Sequence, residues 1–480
     1  MKYLKSKNYP YTLIIIFFSA VLAILISNYN LKNYDKIVTD EYGSFHQMIK
    51  YDALRYLSHG AEIKKDLNEG INFFETGREN FTKYLPPRIA AIIFQIYDIE
   101  LFKDFETKEI NTGVFKPYLY IQSLIYFLSV FIFYALCKSN FSSRTLNFII
   151  LFLCLEPTIF QYHGSFWSES FFFSFQIIIM GLIICKKKNN FIFFLIGFFI
   201  AILSLQKQYA IFYIIPVIIY FSIFDFKRNL LNVSFLIFGF LLPQIFLGYN
   251  NFKRSGVFYV LANDNNIAIH LDLVPKVINR IKSYSGNEFV EYEGEIMKNW
   301  MIENSINFDE DSEVLKVNKH FMRYRDSIIN EKDKLKFDKK IRSRTFEYIK
   351  KYPLEFAITV IKNGVHIILL NPFHIYSDHK FRSGEIYYVS KKHDDFIKYR
   401  MIYSFVIYLI CFIGLIYMCR ERNYKLLTLL ILSIIYFYGL SFWHGNTRYF
   451  MPVYIYFGFF FAKFFEIFYS KNKKLKINFI

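Results

Sequence analysis

Apolar residues along this chain gather into blocks that are long enough to cross a lipid bilayer. A bilayer core about 30 Å thick needs roughly 20 residues of α-helix to span it. Backbone polar groups within lipid are satisfied inside a helix, so each block predicts one helical span. We predict ten spans, at residues 11–28, 117–137, 145–161, 168–185, 190–206, 209–224, 230–249, 401–419, 425–442 and 449–468.

The short connections between these spans separate by charge. Alternate connections are rich in Lys and Arg, whereas the others hold only Lys207 and Arg448. Basic connections stay on the cytoplasmic side, so we predict a cytoplasmic-membrane protein with both termini inside. The first block is long and lacks a small-residue cleavage site after it, so we expect a retained span. The basic set comprises Lys2, Lys5, Lys7, Lys138, Arg144, Lys186, Lys187, Lys188, Lys227, Arg228, Arg420, Arg422, Lys425 and residues 471–476.

Two further apolar segments are short or polar, and we count them as possible additional spans outside the ten. Residues 356–371 carry Lys362 in the middle, and a crossing there would turn the basic connection 419–425 outward. We expect this segment to form an interfacial or half-inserted helix on the outer side, and residues 86–99 to do the same.

The pattern therefore predicts an all-α polytopic membrane protein with two long outer segments. Residues 1–249 form an N-terminal transmembrane module that includes a first outer loop at 29–116. Residues 250–400 carry mixed charge with helical periodicity and form an outer soluble or interfacial region. Residues 401–480 hold the last spans and a basic cytoplasmic tail.

Composition supports the membrane class and argues against a nucleic-acid-binding protein. The 480 residues are 54% apolar, and the net charge is +18. The basic residues are spread over short connections and form no single patch, which is the pattern of membrane orientation. The five cysteines lie in or beside apolar blocks without metal-ligand spacing, so neither disulfides nor a zinc site is predicted.

Ionisable residues at the outer membrane face are candidates for a functional site, because burying a charge there is costly. The acidic pair Asp40–Glu41 follows the first span directly, and Glu169 lies at the start of the fourth. Lys207 lies between the fifth and sixth spans, and Arg448 lies before the last. Acids and bases from separate connections thus reach one side of the bilayer, where a helix bundle could bring them together.

This set of side chains suits the transfer of a group from a lipid phosphate. A carboxylate near the membrane boundary accepts the proton of an attacking hydroxyl. Lys and Arg stabilise the negative charge that builds on the departing phosphate. An apolar wall beside them holds a polyprenyl tail. The expected site therefore lies where an aqueous acceptor meets a membrane-held donor.

Six motifs in order resemble the GT-C superfamily of integral membrane glycosyltransferases. The similarity is to the protein O-mannosyltransferase, aminoarabinose transferase and lipopolysaccharide-core sugar transferase group. The motifs are "TDEYGSFHQMIKYDALRYL" in the first outer loop, "KYLPPRIAAII" (83–93), "EPTIFQYHGSFWSESFFF" (156–173), "NNFKRSGVFYVLANDNNIAIHL" (250–271), "RTFEYIKKYPLEFAITVIKNGVHIIL" (344–369) and "GNTRYFMPVYIY" (445–456).

The resemblance implies a GT-C-type transmembrane helix bundle with periplasmic interfacial helices. It also implies a polyprenyl-phosphate sugar donor, an inverting transfer and a catalytic acid in the first outer loop. Asp40 matches that acid best, with Glu41 as its neighbour. The spacing departs from the commonest form because Tyr42 follows Glu41 directly, so Asp52 stays a third choice. The acceptor is a glycan, a lipid or a protein.

Other site residues also come from the resemblance. Lys207 and Arg448 fall on basic positions that would hold the donor phosphate, and Glu169 falls on a second acidic position. Trp167 is a candidate on a separate ground, since a Trp at the outer face could stack on a sugar. With Tyr449 and Glu169 it would orient donor or acceptor. No cofactor is firmly implied and no metal ligand is predicted, although a divalent metal remains compatible with the chemistry.

Each candidate also has a purely structural interpretation. Asp40, Glu41 and Glu169 could stabilise the first turn of a helix, where acids are favoured by about 0.3–1 kcal/mol. Lys207 and Arg448 could be interfacial anchors with the charge reaching water. Structural roles alone are expected for Glu156 at a helix end and for His163 and His444 as interfacial hydrogen-bonding groups.

Two other functions stay open on the sequence. An O-antigen polymerase or ligase would use diphosphate-linked glycans, usually with a large late loop and reliance on Arg and His. A lipid-linked sugar flippase or transporter would carry charges deep within its spans, whereas most spans here are nearly free of them.

Overall fold

The computed structural model describes residues 9–32, 52–73, 76, 84–104, 109–110, 113, 115–164, 166, 168–260, 269–270, 273–282, 286–312, 315, 321–369, 391–444 and 447–477. Almost all of this backbone is helical, which confirms the predicted all-α class. The α-helices are α1 (Tyr9–Lys32), α2 (Asp52–Asn68), α3 (Leu85–Ile96), α4 (Phe115–Cys137), α5 (Ser143–Leu155), α6 (Pro157–Phe160), α7 (Glu169–Ile184), α8 (Asn190–Gln206), α9 (Ile214–Ser255), α10 (Val274–Lys282), α11 (Gly286–Glu303), α12 (Phe321–Ser327), α13 (Glu331–Lys351), α14 (Pro353–Leu369), α15 (Lys391–Arg420), α16 (Tyr424–His444) and α17 (Tyr454–Ile477).

Helices lie at the positions of the predicted membrane spans. Six helical segments among the described residues are long and apolar enough to cross a membrane, and the bent pair α5–α6 would make a seventh. At the positions of the other three predicted spans lie shorter apolar helices, Glu169–Ile184, Asn190–Gln206 and Gln208–Phe224, whose crossing of the membrane stays a prediction. Large apolar side chains such as Phe17 and Leu124 are exposed on the outside of the bundle, where lipid would cover them. The chain is a multi-pass membrane protein.

The sequence predicted a break at Lys227 and Arg228, but the helical backbone of α9 continues through it. The contacts of α9 with α8 nevertheless show two arms. The first arm begins at the end of α8 and runs back along it. Its Phe221 therefore contacts Phe193, near the start of α8. The second arm then follows α8 in the same direction, ending with Gln244 Nε2 at 2.6 Å from Ser204 Oγ. The two predicted spans are therefore present, and helical backbone joins them.

Glycines allow the closest helix contacts in the bundle. A Cβ on Gly197 of α8 would overlap the carbonyl oxygen of Leu236 in α9, and one on Gly239 would overlap that of Phe194. Gly414 of α15 meets the backbone of Phe460 in α17 in the same way. Within a bilayer the hydrophobic effect does not drive helices together. Small residues at a crossing let the helix backbones pack closely and so stabilise the contact.

Several basic connections lie together at one end of the bundle. Lys188 Nζ lies 4.9 Å from the ring of Phe221, and Lys425 Nζ lies 5.8 Å from the ring of Phe224. The loop after α4 reaches the same end, where Asn140 Nδ2 donates to the carbonyl of Ile184 at 2.7 Å. This grouping agrees with the predicted alternation of the loops, and the sidedness of the membrane stays a prediction.

The first outer loop folds against the opposite end of the bundle. Helix α2 packs on α3 so closely that a Cβ on Gly60 would lie 2.7 Å from Ala90 Cβ. A short antiparallel hairpin, β1 (Phe102–Asp104) with β2 (Glu109–Ile110), follows α3. Segment 86–99, predicted to be an interfacial helix, falls largely within α3. Apolar side chains of this loop share one core with the start of α4 and with Phe166 and Phe171.

The outer region has a core of its own. Helices α10 to α13 enclose it, and Phe356 from the start of α14 completes it. The other end of α14 places Ile367 in the core of the transmembrane bundle. Asn363 Nδ2 in between donates to the carbonyl of Phe442 at 3.1 Å. The segment predicted to be interfacial or half-inserted is thus a helix that joins the two cores.

Candidate functional site

The third predicted span is broken near the end of the bundle that faces the first outer loop. Pro157 has no N–H and cannot continue the helix, so α5 ends at Leu155 and α6 begins after a bend of 42°. Glu156 caps α6 by accepting from the N–H of Ile159 at 2.9 Å. Tyr403 of α15 donates to the same carboxylate at 2.8 Å. The expected structural role of Glu156 at a helix end is confirmed.

A 3₁₀ turn, Gln161–Gly164, continues from α6 and is held by polar residues of neighbouring helices. Gln122 Nε2 donates to the carbonyl of Tyr162 at 2.7 Å, and Ser27 Oγ donates to that of His163 at 3.1 Å. The ring of His163 is buried against aromatic side chains, including Tyr126 at 4.4 Å between ring centroids. His163 is thus covered by protein side chains, and its position relative to the membrane interface stays a prediction.

The central feature of the site is an ion pair between Glu169 and Lys207. Glu169 is the first residue of α7, and Lys207 follows the last residue of α8. Lys207 Nζ donates to Glu169 Oε1, and the side chains are only 2% and 1% exposed. Glu169 therefore does not simply cap its helix, and Lys207 is not an anchor whose charge reaches water. The structure brings together two candidates that are 38 positions apart in the sequence.

The helix ends fix this pair from both sides. Gln206 Nε2 donates to the carbonyl of Ser168 at 2.9 Å, which ties the end of α8 to the start of α7. An acid at a helix N-terminus and a base at a helix C-terminus are each favoured by the helix dipole. The rings of Phe172 and Tyr209 lie 5.8 and 5.9 Å from Lys207 Nζ. The pair is therefore held between two joined helix ends and lies beside aromatic side chains.

The first outer loop reaches this position through apolar contacts. Phe166 and Phe171, which flank Glu169 in the sequence, share a core with Leu57 of α2 and Phe94 of α3. Helices α2 and α3 of this loop therefore pack against the residues on either side of Glu169. Asp40, Glu41 and Trp167 lie outside the described residues, as does the side chain of Asp52.

The last connection contacts α7, the helix that begins with Glu169. A 3₁₀ turn, Thr447–Val453, contains Arg448 and Tyr449, whose side chains lie outside the described part of the chain. Gln176, two helical turns after Glu169, donates through Nε2 to the carbonyl of Pro452 at 2.9 Å. The backbone that carries Arg448 thus packs against the helix that carries Glu169.

Sequence reasoning missed the glutamines that hold these segments. Gln122, Gln176 and Gln206 lie within predicted spans, and each donates to a backbone carbonyl at a break or turn. A buried amide without a partner costs several kcal/mol in an apolar medium, about 2–7 by transfer data. Glutamine inside a predicted span was therefore a usable signal of irregular backbone nearby.

The outer region contains a second buried polar cluster, with a structural role. Arg344 grips Glu293 with two hydrogen bonds of 2.6 Å, and Tyr348 donates to Glu293 at 2.7 Å. His270 Nε2 lies 3.1 Å from the same carboxylate. Burial opposes ionisation of Glu293, but the bonds from Arg344 and His270 outweigh it and lower its pKa to about 2. This satisfied network ties α11 to α13.

Metal binding has no support among the described residues. They contain no group of three or more His, Cys, Asp or Glu side chains that could hold an ion. In the described part of the site, the positive charge comes from the ammonium of Lys207.

No family model and no curated protein sequence matches this chain. Among solved structures, the chain is similar to the archaeal oligosaccharyltransferase AglB from Archaeoglobus fulgidus, in complex with an inhibitory peptide and a dolichol-phosphate. The TM-score is 0.48 at 12% sequence identity, and the match covers 99% of this chain and 52% of that chain. This chain thus spans about half the length of that protein.

Proposed function

We propose that this protein is a membrane glycosyltransferase of GT-C type. It moves a sugar from a polyprenyl-phosphate-linked donor to a glycan, lipid or protein acceptor on the outer face of the cytoplasmic membrane. The observation that carries the proposal is the buried Lys207–Glu169 pair. It lies beside the first outer loop, whose sequence resembles the catalytic loop of that superfamily.

The chemistry assigns one role to each candidate. The acceptor hydroxyl oxygen attacks the anomeric carbon, and the bond from that carbon to the phosphate oxygen breaks. Asp40, or Glu41 beside it, takes the hydroxyl proton as general base. The bonding electrons pass to the phosphate, whose growing charge is stabilised by Lys207 and Arg448. Inversion at the anomeric carbon follows from a single displacement.

The surroundings of Lys207 support its part in this scheme. Few side chains are as costly to bury as an ammonium, and Lys207 is 2% exposed. A buried lysine at this position suits a ligand that has an anionic head and an apolar tail. Trp167, Tyr449 and Glu169 would orient the donor or the acceptor. A divalent metal is compatible with this chemistry, and EDTA treatment of the active protein tests whether one is needed.

Transfer from a radiolabelled polyprenyl-phosphate sugar by the purified protein tests the proposal. Asp40→Asn is expected to abolish transfer while membrane expression stays normal, because an amide cannot accept the proton. Glu41→Gln is the matched variant that decides between the two neighbours. Near-normal transfer by both variants would reject the assignment of the base. A polymerase or ligase would require a diphosphate-linked glycan instead, and a flippase would move the lipid across vesicles without forming product.

A further inference from the structure

The ammonium of Lys207 already has an anionic partner. The carboxylate of Glu169 accepts its hydrogen bond, and both side chains are almost fully removed from solvent. The backbone on each side is fixed by the bond from Gln206 to the carbonyl of Ser168. A phosphate that binds Lys207 must therefore share the ammonium with this carboxylate or replace it.

We propose that Glu169 is a positioning residue that holds the Lys207 ammonium until a lipid phosphate replaces its carboxylate. This inference rests on the proposed function, since it takes Lys207 as a residue that binds the donor phosphate. A lysine has three donor hydrogens and several rotatable bonds, so its head can exchange one acceptor for another. A buried ammonium without any anion would be costly, and the carboxylate of Glu169 offsets part of that cost.

The charges of the ligands make the exchange useful for the reaction. A donor phosphodiester carries one negative charge, as the carboxylate of Glu169 does. The leaving polyprenyl phosphate is a monoester, with a charge of about −1.5 to −2 at neutral pH. Lys207 therefore moves toward the phosphate as the bond to the sugar breaks. An interaction that is stronger in the transition state than in the bound donor is the kind that raises the rate.

Removal of the competing carboxylate should make the site bind phosphate more tightly. Glu169→Gln keeps the size of the side chain and removes the negative charge that accepts from the Lys207 ammonium. We expect its affinity for a polyprenyl monophosphate to rise by about tenfold or more, because one charge-assisted hydrogen bond no longer competes. A residue that only held the fold would give equal or weaker binding when changed.

Two controls separate this exchange from general effects of charge. Glu156→Gln removes another buried carboxylate near the start of α6, where its partners include Ile159 and Tyr403. Its affinity is expected to stay within about twofold of the unmodified protein, because Glu156 bonds to Thr158, Ile159 and Tyr403 and shares none of these partners with Lys207. The double variant Glu169→Gln/Lys207→Gln is expected to lose the gain, because the gain acts through Lys207.

Binding of a polyprenyl monophosphate to the detergent-purified full chain, measured by native mass spectrometry, gives distinct outcomes. Tighter binding by Glu169→Gln that disappears in the double variant supports the exchange. Equal affinity of Glu169→Gln and unmodified protein overturns the exchange and leaves the proposed function standing. No binding by the unmodified protein or any variant removes the proposed function as well.

A shorter acid guards against a folding failure of the amide variant. Glu169→Asp keeps the charge and withdraws the carboxylate by one methylene, which weakens its contact with Lys207. A gain of at least about twofold in phosphate affinity is expected, smaller than for the amide because the charge remains. Unchanged or weaker binding by this variant would overturn the exchange.

Discussion

A methyl group added to Gly197 should force α8 and α9 apart. The new Cβ would overlap the carbonyl oxygen of Leu236 and lie 2.8 Å from the backbone nitrogen of Phe240, whereas ordinary contact begins at 3.4 Å. Both obstacles are backbone atoms within a helix, so no side chain can rotate to make room. Overpacking of this kind typically costs about 1–3 kcal/mol. Gly197→Ala should therefore lower the stability of the bundle by that amount.

Thermal unfolding with a thiol-reactive dye measures this effect in detergent. Cys137, Cys154, Cys185 and Cys411 are buried and react when the bundle opens, whereas the exposed Cys419 gives a constant signal from the start. Gly439→Ala is the matched control, since a Cβ at that position in α16 meets nothing within 4 Å. Its midpoint is expected to stay equal or rise slightly, because Ala favours a helix over Gly by up to about 1 kcal/mol.

A reciprocal variant sharpens the test. Gly239→Ala should destabilise the same crossing, because its Cβ would overlap the carbonyl of Phe194. The two changes together should cost less than their sum, since the first has already separated the helices. If Gly197→Ala and Gly239→Ala unfold at the same temperature as Gly439→Ala, the close approach of α8 and α9 is refuted.

Two further variants probe the buried carboxylates. The ionised form of Glu293 stabilises the fold above its ordinary pKa of 4.5, and this contribution, about 3 kcal/mol, is lost as pH falls toward 2. Between pH 5 and 3 the thermal midpoint of the unmodified protein should therefore fall more steeply than that of Glu293→Gln, and parallel curves would contradict the role of Arg344. Tyr403→Phe removes one hydrogen bond to buried Glu156 and should cost about 1.5–3 kcal/mol in thermal unfolding. An unchanged midpoint would show that this bond contributes nothing.

Much of the membrane architecture could be predicted from hydropathy and loop charge. The spans and their alternation follow from long apolar blocks and basic connections, which are local properties of the sequence. The broken span at Pro157 shows the limit of this reasoning. Proline marks a break, but the fold of the turn behind it depends on donors such as Gln122 from another helix. A glutamine inside a predicted span signals irregular backbone nearby, but the sequence does not show which carbonyl it binds.

The candidate site was predictable in its residue types but not in its pairing. Glu169 and Lys207 were both placed at the outer membrane face from sequence. Their contact with each other depends on how the end of α8 meets the start of α7, which periodicity does not specify. The sequence also does not show whether Lys207 is buried. Its two possible roles, an interfacial anchor and a residue that binds the donor phosphate, differ in whether the ammonium reaches water.

Helix α14 has a mechanical consequence for the whole molecule. It supplies Phe356 to the outer core and Ile367 to the bundle core, and it is bonded to α16 through Asn363 between them. A force applied to the outer region is thus transmitted through helix α14 to the transmembrane bundle. The two cores should consequently melt in a single cooperative step.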